Sequence, residues 1–141
     1  MAIHGQFGKL KTEDLQWLKD RTANYRDRLG LAAPMHEVPE YLAEAVELLT
    51  GIPIEQAMLR SRKQPVVMAR RLVMAALRYC HRQSFADIGQ IFQLDHSTII
   101  HQIQQHDKYI SMVNGQVVHE PYNACYITIA ELYVRCYMAE G

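Results

Sequence analysis

Apolar residues recur at helical spacing along most of the chain. Leu42, Val46 and Leu49 fall at i, i+4 and i+7, and Gly51 follows, which predicts a helix over residues 41–49. Pro53 opens a short helix containing Ile54, Ala57 and Met58. A long helix over residues 66–82 begins beside Pro65 and carries Val66, Ala69, Val73, Leu77 and Cys80 as apolar positions. Ser84 caps a short helix over residues 85–92. Two connecting residues, Gln93 and Leu94, lead to Asp95, which caps another helix reaching residue 109. Further upstream, Thr12 precedes Glu13 and Asp14 and predicts a helix over residues 12–28, with Leu15, Leu18 and Tyr25 as its stripe and Trp17 beside it. Gly30, Pro34 and Pro39 mark the stretch that follows as a linker. Asn114-Gly115 is a turn signal, with Val117 and Val118 placed as a hairpin arm. Residues 120–138 read as a closing helix, against the β-prone run Tyr126, Ile127, Thr128, Ile129. The expected fold is all-α.

The two helices on either side of Gln93-Leu94 have the faces of a helix-turn-helix. Phe85, Ile88 and Phe92 form one apolar side of the first, and Gly89 beside them permits close helix contact. In the second, Ile99, Ile100 and Ile103 point to the core. Ser97, His101, Gln104 and Lys108, at i, i+4, i+7 and i+11, then make a polar face. Short hydrogen-bonding side chains near a helix N-terminus suit entry into a DNA major groove, and the unsatisfied N–H groups there attract phosphate.

Charge sharpens this picture. The net charge is zero, but residues 56–86 carry seven basic side chains (Arg60, Arg62, Lys63, Arg70, Arg71, Arg78, Arg82) and no acidic one. Six basic against nine acidic residues precede the block, and two against six follow it. A basic block between acidic flanks is a local footprint for phosphate contact. At 49% hydrophobic content over 141 residues the chain can bury a core. No secretory leader and no membrane-spanning run are expected, so the partner is not a membrane. Three cysteines without paired spacing (Cys80, Cys125, Cys136) argue against a disulfide framework and for the cytoplasm.

Residues 62–101 resemble the C-terminal DNA-binding domain of the bacterial replication initiator family, DnaA. That family's signature is a serine-led Ile-Gly helix, a Phe, then Asp-His-Thr-Thr-Val-Leu-His. Here stand Ser84, Ile88-Gly89, Phe92, then Asp95-His96-Ser97-Thr98-Ile99-Ile100-His101. Arg62, Arg70, Met74 and Ala75 match the family's basic loop and long helix with no gap back from Ile88. The resemblance implies a helix-turn-helix of the replication-initiator, Trp-repressor-like type. It implies that Asp95, His96, Ser97 and His101 read bases in the major groove and that Thr98 contacts DNA from the helix start. It implies further that Arg62 enters the adjacent minor groove and that Arg70 contacts a phosphate. Arg71 is expected, with the rest of the block, to add phosphate contacts. Asp95 serves equally well as a helix cap alone.

The chain departs from the family at Gln93-Leu94, which stands where Gly-Gly-Arg is usual and is one residue shorter. It departs again at Gln104 and Gln105, in place of basic residues, and at Ala69, in place of a proline. The target sequence therefore does not carry over. Nor is the family's ATPase expected: Gly5, Gly8 and Lys9 lack the spacing of a phosphate loop, and no Ser or Thr follows the lysine.

No cofactor, metal or catalytic activity is expected. His96, His101 and His106 are five residues apart, so their rings drift around a helix by ~500° per step. The expected organisation is an accessory N-terminal helix and linker (residues 1–38), a helix-turn-helix domain (39–112) and a closing helix (113–141). The expected function is sequence-preferring binding of double-stranded DNA in replication control or transcriptional regulation. The alternative is a protein-interaction module that keeps the fold, or an inhibitor of an initiator. Residues 12–28 and the tyrosines Tyr122, Tyr126, Tyr133 and Tyr137 would then form a surface for a protein partner or a homodimer instead of completing the core.

Overall fold

The computed structural model describes residues 37–138. The helix expected over residues 12–28 and the glycines of the 5–10 stretch lie outside the described residues. Helix α1, Glu40–Thr50, ends on Gly51 in the left-handed conformation (φ 78°), whose N–H returns to the Glu47 carbonyl. The short α2, Ile54–Ala57, follows Pro53.

The long helix α3, Gln64–Tyr79, begins two residues earlier than the periodicity suggests. Pro65 lies in its first turn, where a missing N–H removes no hydrogen bond. It also ends earlier. Arg82 is left-handed (φ 56°), and the Gln83 N–H closes back on the Leu77 carbonyl at 3.0 Å. Helix α4 spans Phe85–Phe92 and α5 spans His96–Ile110.

A two-stranded hairpin follows, β1 (Met112–Val113) and β2 (Gln116–Val117), antiparallel with Met112 opposite Val117. Asn114 and Gly115 both have positive φ (53° and 78°), as the two-residue hairpin turn requires. The arm is Gln116–Val117, one residue before the Val117–Val118 pair the sequence suggested. Helix α6, Glu120–Tyr133, then passes into a wider π-helical segment, Val134–Met138. The β-prone run from Tyr126 to Ile129 is therefore helical. Ile129 is fully buried, so packing overrides local preference there.

One core joins these elements. Tyr41, Leu42, Val46 and Leu49 of α1 meet Leu72, Val73, Met74 and Leu77 of α3, with Ile88 and Phe92 of α4 and Ile99 and Ile103 of α5. Tyr122, Cys125, Ile129 and Leu132 of α6 belong to the same cluster, and Tyr126, Tyr133 and Tyr137 pack against it. The tyrosines of the closing helix thus complete the core. The fold is all-α apart from the small hairpin.

Candidate nucleic-acid interface

The helix-turn-helix is assembled from local chemistry first. Ser84 caps α4 through its hydroxyl, which accepts the Asp87 N–H at 3.0 Å. Gln93 then turns left-handed (φ 56°), and the Leu94 N–H returns to the Gly89 carbonyl at 2.9 Å. The chain folds so tightly over Gly89 that a Cβ there would lie 2.6 Å from the Leu94 carbonyl oxygen. The two-residue connection therefore closes without the Gly-Gly-Arg of the resembling family. Arg78 of α3 lies 4.0 Å over the Phe85 ring and donates to the Gln83 carbonyl, which ties α4 to the long helix.

Asp95 occupies the N-cap position of α5 with extended backbone, but its carboxylate makes no capping bond to a backbone N–H. It accepts the Ser97 hydroxyl instead, and His96 Nδ1 lies 3.5 Å from its other oxygen. That hydroxyl is the main reason the Asp95 carboxyl is held below its ordinary value. Asp95, His96, Ser97, Thr98 and His101 are all exposed, as are Gln104 and Lys108 one and two turns further on. The structure brings five of the eight candidate residues to the start of one exposed helix.

The opposite side of α5 is gripped from behind. Ile99 and Ile103 are buried in the core. Arg71 Nε donates to Gln102 Oε1 at 3.0 Å, and its guanidinium carbon lies 5.0 Å from the Tyr109 ring centroid. His106 is fully buried, its Nδ1 sharing a hydrogen bond with the Tyr122 hydroxyl, among the rings of Tyr79, Tyr122 and Tyr126. The Tyr79 hydroxyl donates to Asp107 at 2.6 Å. These contacts fix the rotation of α5, so the polar face is presented in one orientation.

The arginines divide. Arg62 is exposed in the loop after α2, between Arg60 and Lys63, which are exposed too. The Arg60 guanidinium donates to the Gln93 carbonyl at 3.4 Å, which sets this loop beside the turn of the helix-turn-helix. Arg71 is not on that surface. It is only 6% exposed, because the register of α3 that buries Leu72 and Met74 also carries Arg71 inward against α5. Its expected phosphate contact has no support in this placement. Arg70 is half-buried, and its guanidinium is turned to main-chain carbonyls of the α2–α3 connection.

Sequence reasoning missed the inward Arg71, the buried His106 and the Arg60–Gln93 link. His106 carried a usable signal, since it follows Ile99 and Ile103 at i+7 and i+3 on the core face. The Arg60–Gln93 contact joins residues 33 apart and has no local signal. Among the described residues no helix is long and apolar enough to cross a membrane. None of their His, Cys, Asp and Glu side chains form a group of three able to hold a metal.

A capped short helix, a two-residue turn and an anchored second helix with an exposed polar N-terminal face define a helix-turn-helix of the DNA-binding class. Residues 39–105 match the family described as "Bacterial dnaA protein helix-turn-helix". Over 79 residues the chain is 32% identical to the chromosomal replication initiator protein DnaA of Kosmotoga olearia, covering 56% of this chain and 17% of that protein. The matched segment is a DnaA-type helix-turn-helix, a DNA-binding rather than a catalytic module. The match thus spans about one sixth of its relative's length. No solved structure matches it significantly.

Proposed function

We propose that this protein binds duplex DNA with a sequence preference and acts in replication control or transcriptional regulation. The observation that carries the reading is the exposed row Asp95, His96, Ser97, Thr98 and His101 at the start of a helix locked from behind. A carboxylate accepts from a cytosine amino group, a hydroxyl serves either partner, and an imidazole donates or accepts at a purine edge. The Ser97–Asp95 hydrogen bond orients both groups before DNA arrives. Arg62, exposed in the loop whose Arg60 contacts the Gln93 carbonyl, is assigned a contact in the adjacent minor groove while α5 occupies the major groove. Lys63 and Lys108 supply phosphate contacts. Residues 39–112 form the reading unit, and the helix beyond the hairpin supports it from behind.

The test is fluorescence anisotropy with labelled duplexes. The protein is titrated into a random pool and into an initiator-type box at about 0.05 and 0.2 M salt, a range over which phosphate-driven binding falls steeply. Salt-sensitive binding with a preference for selected sequences is the expected result. Absence of binding at the lower salt would move the function to a protein partner.

A further inference from the structure

Arg70 stands in the second turn of α3 and reaches backwards across the chain. Its Nε donates to the Ala57 carbonyl at 3.0 Å. Its Nη2 donates to the carbonyls of Leu59, at 2.6 Å, and Ser61, at 3.0 Å. Ala57 is the last residue of α2, a four-residue helix whose final carbonyls have no partner within it. Leu59 and Ser61 alternate with Arg60 and Arg62 in the loop. One guanidinium edge therefore collects three carbonyls from the segment that carries Arg60, Arg62 and Lys63. That edge is the kind of planar fork that otherwise grips a phosphate in bidentate fashion, and here the main chain occupies it.

Among the described residues the loop's other hydrogen bonds are mostly local. They run from the Leu59 N–H to the Gln56 carbonyl, from the Ser61 N–H to the Leu59 carbonyl, from the Lys63 N–H to the Ser61 hydroxyl and from the Val67 N–H to the Lys63 carbonyl, none spanning more than four residues. Among the described residues, the loop's hydrogen bond to the helix-turn-helix is the long contact from Arg60 to the Gln93 carbonyl. Three cations within four residues also repel one another. We infer that Arg70 is a positioning residue: its guanidinium clamps the carbonyls of Ala57, Leu59 and Ser61 and so orders the basic loop beside the helix-turn-helix turn. Its contribution to DNA binding passes through Arg60, Arg62 and Lys63, not through a phosphate of its own. The inference rests on the DNA-binding reading for that last step alone; the clamp itself is a property of the free protein.

The distinction from a phosphate contact is chemical. Lysine keeps the charge but is a point donor on a flexible stem, unable to span three carbonyls. Arg70→Lys and Arg70→Ala are therefore compared with the parent in two assays. Limited trypsin digestion reads the loop directly, because Arg60, Arg62 and Lys63 are themselves cleavage sites whose cutting requires local opening. Both variants are expected to be cut there roughly tenfold faster with helix content retained, as loss of the clamp raises the open population. Both are expected to lose duplex affinity by about tenfold, to a similar extent.

Parent-like cleavage and parent-like affinity in Arg70→Lys would overturn the clamp and restore the direct phosphate contact. A wild-type measurement guards against variants that fail to fold. The Arg70 Nε–H is expected to exchange slowly in the free protein by nuclear magnetic resonance and to keep its shift when DNA is added. Rapid exchange, or a large shift on adding DNA, would sink the proposal. If the parent bound no duplex at all, the DNA reading would fall, and the cleavage result would still decide the clamp.

Discussion

Gly89 lies directly beneath the carbonyl of Leu94, whose N–H it receives at 2.9 Å and whose oxygen would stand 2.6 Å from any Cβ at position 89. The obstructing atom is backbone, so no side chain can swing away to admit a methyl group. Gly89→Ala is expected to destabilise the fold by about 1–3 kcal/mol, the usual range for overpacking, despite alanine's better helix propensity. Urea unfolding measures it. A variant as stable as the parent would show that the turn after α4 opens freely.

That turn shows how far the sequence could be read. Ser84 as a cap, Gly89 as a close-contact residue and the four-position polar face of α5 all follow from local spacing, and the structure places each as expected. The basic block did not resolve so cleanly. Arg62, Arg70 and Arg71 look alike as charges in a row. Their fates depend on which side of α3 faces α5 and on carbonyls left over from α2. Helical periodicity places Arg71 between Leu72 and the polar Arg70, at the edge of the apolar stripe. Its partners on α5, Gln102 and the Tyr109 ring, 31 and 38 residues on, hold it inward. Long-range pairing of this kind leaves no trace in spacing.

Arg71 supplies a second prediction. Its Nε is paired with Gln102, but its buried Nη1 has no hydrogen-bond partner among the described residues. A buried cation with no carboxylate partner among the described residues is an expensive way to fill space. Arg71→Met keeps most of the stem and removes the orphaned donor, so it is expected to cost less than about 1.5 kcal/mol. Arg71→Ala leaves a cavity between α3 and α5 and is expected to cost about 2–5 kcal/mol. Urea unfolding separates the two. In the methionine variant the salt dependence of DNA binding should match the parent's, since a residue facing the core releases no counterions. A slope reduced by about one unit would make Arg71 a phosphate contact after all.

Acid should weaken this fold through two histidines. Burial is the first cause that lowers both His106 and His81 to about 4, against an ordinary value near 6.5. His106 lies among Tyr79, Tyr122 and Tyr126, with Asp107 and Arg71 acting on it in opposite directions. His81 is paired through Nε2 with the Tyr41 hydroxyl at 2.7 Å and packed against Tyr133 and Tyr137. Between pH 6.5 and 4 the unfolded chain binds these protons and the folded one does not. Stability is therefore fully present above about pH 6.5 and is lost as pH falls toward 4, at up to roughly 1.4 kcal/mol per pH unit for each histidine. Urea unfolding at pH 7, 6 and 5 checks the slope. Replacing His106 by Gln should remove about one proton's share of it, and an unchanged slope would show that His106 is already charged in the fold.

His101 provides the most direct test of base reading. It is exposed one turn after Ser97 on the face that carries Gln104 and Lys108, and it is not part of the buried core. Truncation should leave the fold unaltered, so any change in binding belongs to the interface. A side chain that touches a base edge discriminates among sequences, whereas one that touches phosphate weakens all of them alike. His101→Ala is expected to cost about 1–3 kcal/mol on a preferred duplex, with little change on the random pool. Anisotropy titrations of parent and variant against both DNAs decide it. An equal loss on every sequence would move His101 from the base-reading row to the backbone contacts and leave sequence preference to Asp95, His96, Ser97 and Thr98 at the start of α5.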